Sequence, residues 1–228
     1  MSGGFLFFEG PLFADRVEAG RALADVLERE RAPDVVVVGL ARGGVEVAAE
    51  VARRLGAPLD VVAVRKLGHP LQPEYGIGAV TPGDGVYVRS HDGLTDEQVA
   101  AVVEQAKTEA TALDLRLHAN QPALDLAANT VLVVDDGLAT GATMIAALRW
   151  ARGAGAARVV AAVPVGAAST VEVIRPEADD VVCLHALELF YAVGVWYASF
   201  PQVDDETVVA LIRENRAADR AVAPALTP

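Results

Sequence analysis

The chain has 228 residues, 53% of them hydrophobic, and its 31 acidic against 19 basic residues give a formal net charge of −12. Contacts to nucleic-acid phosphates need clustered Lys and Arg, which are scattered here, so the charge balance argues against a general duplex-binding function. A single cysteine, Cys183, excludes an internal disulfide framework and a multi-cysteine metal cage. No apolar run approaches ~20 residues and the N-terminus lacks a basic region, so we expect a cytoplasmic protein without a membrane partner.

Short apolar runs rich in Val recur along the chain and predict the strands of one sheet. They are continuously apolar rather than alternating, which is typical of parallel strands covered on both faces. The segments between them, including 44–55 and 141–152, have helical spacing, so the order of elements is that of an α/β protein. The predicted strands comprise residues 35–40, 59–64, 130–134, 159–164 and a weaker run at 180–184.

Further elements are predicted from turn and capping signals. Residues 77–81 and 86–89 flank the sequence Pro-Gly-Asp-Gly, which favours a hairpin at an edge of the sheet. A capping-box sequence at 95–98 predicts the start of a long amphipathic helix. A final helix is expected after the acidic residues 204–206, and the Ala- and Pro-rich tail at 217–228 is expected to be flexible.

The most informative segment is 130–144, TVLVVDDGLATGATM, where a buried strand is followed by two acids, a small-residue turn and a helix. Ligands of open α/β sheets bind at this end of the strands. Asp135 and Asp136 can accept hydrogen bonds from sugar hydroxyls. The turn can hold a phosphate through the hydroxyls of Thr140 and Thr143 and through the backbone N–H groups of Leu138, Ala139, Thr140, Gly141, Ala142 and Thr143. The segment predicts a ribose phosphate site; the alternative is a solvated strand end with glycines used in packing.

A second turn, GLARGGV at 39–45, also lies between a predicted strand and a predicted helix. Arg42 offers a planar fork of donors to phosphate oxygens. Gly43 and Gly44 let backbone N–H groups approach an anion closely. The turn therefore predicts a second anion site, and the alternative is a glycine-rich turn with an exposed arginine.

The segment 64–76, VRKLGHPLQPEYG, is rich in Gly and Pro and is interpreted as a functional loop rather than a regular element. It contains two adjacent cations, Arg65 and Lys66. Its His69 and Glu74 are open to two interpretations, assistance of proton transfer or simple solvation. We expect the loop to form neither a helix nor a strand ladder, and to be more mobile than the two turns.

With these residues the sequence resembles the type I phosphoribosyltransferases, whose signature of a hydrophobic strand, two acids and a small turn matches DDGLATGAT. The phrases GLARGGVEVA, VRKLGHPLQPEYGIGAV and VGVWYASF are similar to those of a bacterial group in that family whose substrate is undefined. The resemblance implies a single domain over 1–228 with a mostly parallel five-stranded sheet flanked by helices, an edge hairpin and a small hood. It places the core at about 32–185 and the hood in the N-terminal segment and about 186–216.

The resemblance implies Mg²⁺-dependent transfer of the phosphoribosyl group from 5-phosphoribosyl 1-diphosphate (PRPP) to a nitrogenous base, with release of diphosphate, as in nucleobase salvage. Asp135 and Asp136 would hold the ribose hydroxyls and contribute to Mg²⁺ directly or through water. Residues 138–143 would hold the 5′-phosphate. The expected partners are PRPP and a nucleobase or nucleoside monophosphate, and a homodimer is left open.

The same resemblance assigns the cations. Arg42, Gly43 and Gly44 would form the diphosphate loop, in which the Ala41–Arg42 peptide bond is expected to be cis or otherwise strained. Arg65 and Lys66 would act on the departing diphosphate. Together with Asp136 they are the catalytic candidates.

The acceptor is less well defined. Ala139 stands where relatives that act on 6-oxopurines carry an Asp, which disfavours that substrate class. The aromatic residues after the last predicted strand would either stack on the base or form an edge core; they are Phe190, Tyr191, Trp196, Tyr197 and Phe200. His91, His118 and His185 have no partner visible in the sequence. Two other functions stay open, a non-catalytic PRPP- or nucleotide-binding regulator and an unrelated flavodoxin-like phosphate-binding domain.

Overall fold

The structure is a computed structural model that describes residues 10–119 and 121–222. Five of its strands form a parallel sheet in the order β2-β1-β6-β7-β8, and the other three form an antiparallel sheet in the order β3-β4-β5. The strands are β1 (Val35–Leu40), β2 (Leu59–Val62), β3 (Arg65–His69), β4 (Gln72–Val80), β5 (Val86–Val88), β6 (Thr130–Val134), β7 (Arg158–Ala167) and β8 (Asp180–Leu187).

Helices cover both faces of the parallel sheet, which explains why its strands are continuously apolar. Along β1, Val35 and Val37 pack on one face, while Val36 and Val38 pack on the other. The helices are α1 (Arg16–Leu27), α2 (Gly43–Leu55), α3 (Asp96–His118), α4 (Ala142–Gly153), α5 (Ala168–Ile174) and α6 (Asp205–Val222). The first face is covered by α1 and α2, the second by α4 and α5, and α3 and α6 pack together beside β2. The five-stranded α/β fold is therefore confirmed.

The expectation that residues 64–76 form no strand ladder is wrong, because β3 and β4 pair there as an antiparallel ladder. The pairing register shifts on both sides of Gly68, where an added β-carbon would lie 2.6 Å from the carbonyl oxygen of Pro73. Gly68 and Pro73 thus lie at an irregularity of the ladder, where a regular strand pairing is interrupted. The predicted hairpin that follows is confirmed, since β4 pairs with β5 with Val80 opposite Val86.

The chain ends differ from the sequence expectation in two respects. Helix α1 is not predicted at all, although Asp15 caps it by accepting a hydrogen bond from the Glu18 N–H. Helix α6 continues to Val222 and so extends into the tail that was expected to be flexible, while 223–228 lie outside the described residues. Within the described ranges no helix is both long and apolar enough to cross a membrane.

The two segments expected to form a hood lie side by side in their described parts. Residues 10–15 run beside 196–199, with a parallel bridge between Phe13 and Tyr197. The Ala198 N–H donates to the Phe13 carbonyl at 2.8 Å. Residues 1–9, which also belong to the predicted hood, lie outside the described residues.

A buried ionic network joins β2, α3 and α6. Asp60, which is 1% exposed, accepts hydrogen bonds from Arg216 Nη2 at 3.1 Å and from the Leu124 N–H at 2.7 Å, and its Oδ1 lies 3.1 Å from His118 Nε2. The other ring nitrogen of His118 lies 3.2 Å from Asp114 Oδ2. Hydrogen bonds to Asp114 and then Asp60 raise the pKa of His118 to about 10, against the opposing effect of burial. His118 therefore has partners that the sequence does not reveal.

This network predicts a pH-dependent stability. A histidine whose pKa is raised on folding stabilises the fold fully below its ordinary pKa of 6.5, and this contribution is lost as the pH rises through about 10. His118→Gln should lower the free energy of unfolding at pH 7 by about 1.5 to 3 kcal/mol, because a charged hydrogen-bonding group is lost. Urea denaturation of both proteins at pH 7 and above pH 10 measures the difference.

The exposed His91, which lies 3.3 Å from Asp96, supplies the matched control, and His91→Gln should leave the free energy of unfolding nearly unchanged. A His118→Gln deficit of the same size at both pH values would contradict the assignment, because it would show that protonation of His118 does not contribute.

Candidate functional site

The two turns identified in the sequence meet at the carboxyl ends of β1 and β6 in the parallel sheet. The chain places β2 on one side of β1 and β6 on the other, so the direction in which strands are added reverses between β1 and β6. Gly39 is opposite Val134 in the register, and the two strands therefore deliver their following turns to the same place. In open α/β sheets such a switch point is where ligands bind.

Gly43 and Gly44 follow β1 and lie directly against the end of β6 and the acids after it. A β-carbon on Gly43 would clash with Asp136 Oδ2, and one on Gly44 would lie 2.7 Å from the Val134 carbonyl oxygen and 2.8 Å from Asp135 Oδ1. The Ala41–Arg42 peptide bond that precedes these glycines is cis, as the sequence resemblance implies. The two turns thus form one compact unit.

The acid pair is electrostatically unfavourable. Burial, followed by repulsion from Asp136, raises the pKa of Asp135 well above its usual range, while the Asp136 N–H, Arg16 and Lys66 act in the opposite direction. The pKa of Asp136 is also raised by burial, and the hydrogen bond from Arg16 opposes the shift. Carboxylates held in this state gain stability when donors or a cation reach them.

Arg16, the first residue of α1, is the strongest partner of the acid pair. Its side chain is 6% exposed, and its Nε donates to Asp136 Oδ2 at 2.8 Å. Its Nη1 donates to the Pro201 carbonyl at 2.8 Å and lies 3.5 Å from Glu46 Oε2. The guanidinium also lies 3.7 Å from the centre of the Phe200 ring. Arg16 thereby connects the acid turn with the chain that follows β8.

Residues 197–205, here called the connecting segment, contact both turns. The Tyr197 hydroxyl donates to the carbonyl oxygen of Asp136 at 2.6 Å, and burial raises the pKa of that hydroxyl far above its usual value. At the other end, Asp205 Oδ1 accepts a hydrogen bond from Arg42 Nε at 2.6 Å. One stretch of chain therefore fixes the positions of the two turns relative to each other.

The predicted phosphate turn is shorter than its sequence suggests. Leu138 is buried, its N–H donates to the Val165 carbonyl at 2.9 Å, and its own carbonyl accepts from the Ala167 N–H. The Leu138 N–H is therefore already bonded to β7. The expectation from the sequence that Leu138 binds the phosphate is corrected accordingly. The remaining positions, Ala139, Thr140, Gly141, Ala142 and Thr143, form the turn and the first residues of α4.

This shortened turn leaves backbone donors at the start of α4. Gly141 precedes the helix with φ +78°, and an added β-carbon there would lie 2.9 Å from Thr170 Cγ2. Thr170 also donates to the Ala139 carbonyl at 2.6 Å and so holds the turn from α5. No side chain among the described residues caps α4, and the first N–H groups of an uncapped helix can hold an anion.

A pocket of about 390 Å³ opens beside the turn after β1 and has three arginines in its wall. Arg65 Nε is buried there and has no hydrogen-bond partner among the described residues. A buried donor without a partner is costly unless a ligand satisfies it. Although the chain has a net charge of −12, no acidic residue is found among the described residues that line this pocket. The lining residues are Arg16, Ala41, Arg42, Gly43, Val64, Arg65, Leu113, Phe200, Pro201, Gln202 and Val203.

The other polar residues of the β3–β4 hairpin are placed differently. Lys66 is exposed, and its charge acts on Asp135, which puts it within electrostatic range of the acid pair. His69 Nδ1 accepts a hydrogen bond from the Leu71 N–H at 3.2 Å at the hairpin turn, and Glu74 is exposed. The structure brings Arg65 and Lys66 to the site but gives His69 a role in the turn.

Some of the aromatic residues after β8 form an edge core, whereas others are exposed, as stacking on a base would require. Trp196 and Tyr197 are buried in an edge cluster with Phe13, as the edge-core interpretation requires. Tyr191 is 80% exposed, and Leu189 and Val195 are also exposed. Between them, Val193 packs so closely on Gly137 that an added β-carbon would lie 2.5 Å from Val193 Cγ1. An exposed apolar surface therefore lies next to the acid turn.

Sequence reasoning missed Arg16 and Asp205 as parts of the site. The sequence Asp-Arg at 15–16 does carry the signal of a capped helix start. It contains no sign that the first side chain of that helix reaches a carboxylate 120 residues away. Asp205 was noted only as one of the acids that begin the final helix.

Comparisons with known proteins relate the chain to one family. A family profile described as "Phosphoribosyl transferase domain" matches residues 13–195. Two Mycobacterium tuberculosis proteins named as proposed phosphoribosyl transferases, MT0597 and Rv0571c, are each 44% identical over 206 residues, which cover 88% of this chain. The chain spans only 46% of the length of those relatives. The crystal structure of TT1426 from Thermus thermophilus has a TM-score of 0.76 at 40% identity, covering 89% of this chain and 98% of that one.

The raised pKa of Asp135 predicts that its buried carboxylate lowers the free energy of unfolding at neutral pH. Asp135→Asn should raise the free energy of unfolding at neutral pH by about 0.5 to 2 kcal/mol. The amide removes the buried charge, while its oxygen can still accept the Asp136 N–H that Asp135 Oδ1 accepts at 2.9 Å. An acid whose pKa is raised on folding destabilises the fold only above its ordinary pKa, so the gain should vanish near pH 4.

Urea denaturation at pH 7 and near pH 4 measures this effect, and Asp84→Asn at an exposed turn provides the control for a loss of one charge. A lower free energy of unfolding for Asp135→Asn at neutral pH would show that the Asp135 carboxylate is stabilising instead.

Proposed function

Because the chain belongs to the phosphoribosyl transferase domain family, we propose that it transfers the phosphoribosyl group of PRPP to a nitrogenous base and releases diphosphate. The observation that carries this proposal is the arrangement at the switch point, where an acid pair with raised pKa values adjoins an arginine-lined pocket. A molecule with a diol at one end of its ribose and a diphosphate beside it matches both parts. The uncapped start of α4 supplies donors for a 5′-phosphate.

The acids and the turns would hold the ribose during the reaction. Asp135 and Asp136 accept hydrogen bonds from the ribose hydroxyls, and residues 139–143 bind the 5′-phosphate through N–H groups and the threonine hydroxyls. The hydrogen bond of 2.8 Å from Arg16 favours the ionised form of Asp136 and opposes the rise in its pKa caused by burial. With both ends of the ribose fixed, C1′ is presented to the acceptor in one orientation, which lowers the entropic part of the barrier.

The arginines would stabilise the leaving group. As the bond from C1′ to diphosphate breaks, negative charge grows on the diphosphate and positive charge on the sugar ring. Arg42 and Arg65 lie in the pocket wall with donors left for a ligand, and Lys66 approaches from the hairpin. Preplaced cations in a partly enclosed pocket stabilise such charge more than water does.

The donor set also fits Mg²⁺. Two adjacent carboxylates can contribute oxygen ligands, and no cluster of three or more His, Cys, Asp or Glu that could hold a metal occurs among the described residues. Diphosphate and ribose oxygens would complete the octahedral coordination that Mg²⁺ prefers. When bound, the ion would neutralise part of the diphosphate charge.

The exposed apolar surface formed by Leu189, Tyr191 and Val195 is the proposed acceptor platform, consistent with nucleobase salvage. Val193 attaches it to Gly137, next to the acid pair. An exposed aromatic ring beside a ribose site offers stacking to a planar base. Ala139 supplies no carboxylate for the acceptor, which favours bases other than 6-oxopurines.

A diphosphate-release assay with PRPP, Mg²⁺ and a panel of bases tests the proposed function. We expect release to depend on at least one base and to be strongly reduced in Asp136→Asn. Loss of the charge-assisted ribose contact should weaken PRPP binding by about 1.5 to 3 kcal/mol. PRPP binding by calorimetry without release for any base would instead indicate a regulatory binding protein, and absence of binding would refute the proposal.

Lys66 has a distinct predicted effect. Lys66→Ala should lower kcat at least tenfold with little change in the affinity for PRPP, since its partner is charge that develops as diphosphate departs. The chain has one other lysine, Lys107 on α3, and Lys107→Ala is a matched loss of one ammonium. Steady-state kinetics with PRPP as the varied substrate measures both parameters. A rise in KM alone would show that Lys66 serves binding.

A further inference from the structure

Arg42 is held by a carboxylate from outside the pocket that it lines. Asp205 Oδ1 accepts from Arg42 Nε at 2.6 Å, and Asp205 Oδ2 accepts from Arg116 Nε at 3.3 Å. Arg42 belongs to the wall of the arginine-lined pocket, whereas Asp205 lines a separate surface depression with Arg116 and Glu206. The carboxylate therefore acts on the Arg42 guanidinium from a neighbouring surface.

This contact leaves the anion-binding end of Arg42 unused. A guanidinium has five N–H donors, and the described residues accept only the one on Nε. The four N–H donors on Nη1 and Nη2 remain for a ligand in the pocket. An anchored Nε with unused terminal donors is the arrangement expected of an arginine that is preset for a phosphate group.

The charge of Asp205 is compensated by a second cation. Arg116 binds the carboxylate oxygen that does not face Arg42, so Asp205 is shared between two arginines. Its side chain is 31% exposed, which screens its charge further. Its repulsion of a diphosphate should accordingly be small, while its effect on the orientation of Arg42 is direct.

We propose that Asp205 is the positioning residue that orients Arg42 toward the diphosphate of PRPP. Without it, the Arg42 side chain, which is 37% exposed, would occupy several rotamers and would have to be ordered at each binding event. Because Asp205 begins α6, its contact with Arg42 links this helix to the site. The inference rests on the proposed function, since it concerns the same pocket.

Calorimetric titration of the full chain with Mg²⁺-diphosphate, PRPP and ribose 5-phosphate tests the role. Asp205→Ala should weaken diphosphate and PRPP binding about tenfold, equivalent to about 1.4 kcal/mol, and leave ribose 5-phosphate binding unchanged. In kinetics it should raise the KM for PRPP more than it lowers kcat. Asp205→Glu should restore most of the affinity, because it retains the charge.

Glu206→Gln is the matched control. Glu206 is also acidic and lies in the first turn of α6, but it is exposed, and the carboxylate that binds Arg42 is that of Asp205. Its replacement removes one negative charge beside the site and should leave all three affinities unchanged. Arg42→Ala completes a double-mutant cycle, in which Asp205→Ala should add no further loss once Arg42 is absent.

The outcomes separate the inference from the proposed function. Unchanged or tighter diphosphate binding in Asp205→Ala, or a loss that adds to that of Arg42→Ala, would overturn the positioning role while the wild type still binds PRPP. A wild type that binds neither PRPP nor diphosphate would overturn the proposed function itself, and the inference with it.

Discussion

The site depends on the ion pair between Arg16 and Asp136. Two adjacent carboxylates at the end of a buried strand repel each other and lose hydration, and both pKa values are raised as a result. A guanidinium that is itself almost fully buried, at 2.8 Å from one of them, opposes this shift and offsets part of the cost. Arg16 also donates a hydrogen bond to the Pro201 carbonyl. The side chain that stabilises the acid pair therefore also holds the connecting segment in place.

The connecting segment in turn relates the two turns of the site. It contacts Asp136 through Tyr197 and Arg42 through Asp205, so the turn after β6 and the turn after β1 are supported by one continuous stretch of chain. The β3–β4 hairpin brings its cations from a separate antiparallel sheet. The proposed acceptor surface at 189–195 adjoins the acid turn through Val193. The residues proposed to bind the ribose, the diphosphate and the acceptor thus lie on different parts of the chain.

Much of the fold is predictable because strong local signals determine it. The ends of β1 and β6 follow from their apolar runs, and the capping box at Thr95 and Gln98 marks the start of α3. The β3–β4 ladder was not predictable from composition, because antiparallel pairing with an irregularity at Gly68 tolerates residues that would end a regular strand. The missed parts of the site are long-range charge contacts. Arg16 meets Asp136 across 120 positions, and such a pair leaves no periodicity or spacing in a single sequence.

The contact between the glycines after β1 and the acids after β6 has a consequence for how such proteins can change. A side chain at position 43 would occupy the space of the Asp136 carboxylate, whereas one at position 44 would lie 2.7 Å from the Val134 carbonyl oxygen and 2.8 Å from Cα of Asp135. Replacing Asp136 would relieve the contact at position 43, but no replacement of Asp135 removes the backbone atoms that close position 44. A lineage that modifies this site must therefore change Gly43 together with Asp136 and keep Gly44, whereas the exposed Leu189, Tyr191 and Val195 can each change alone.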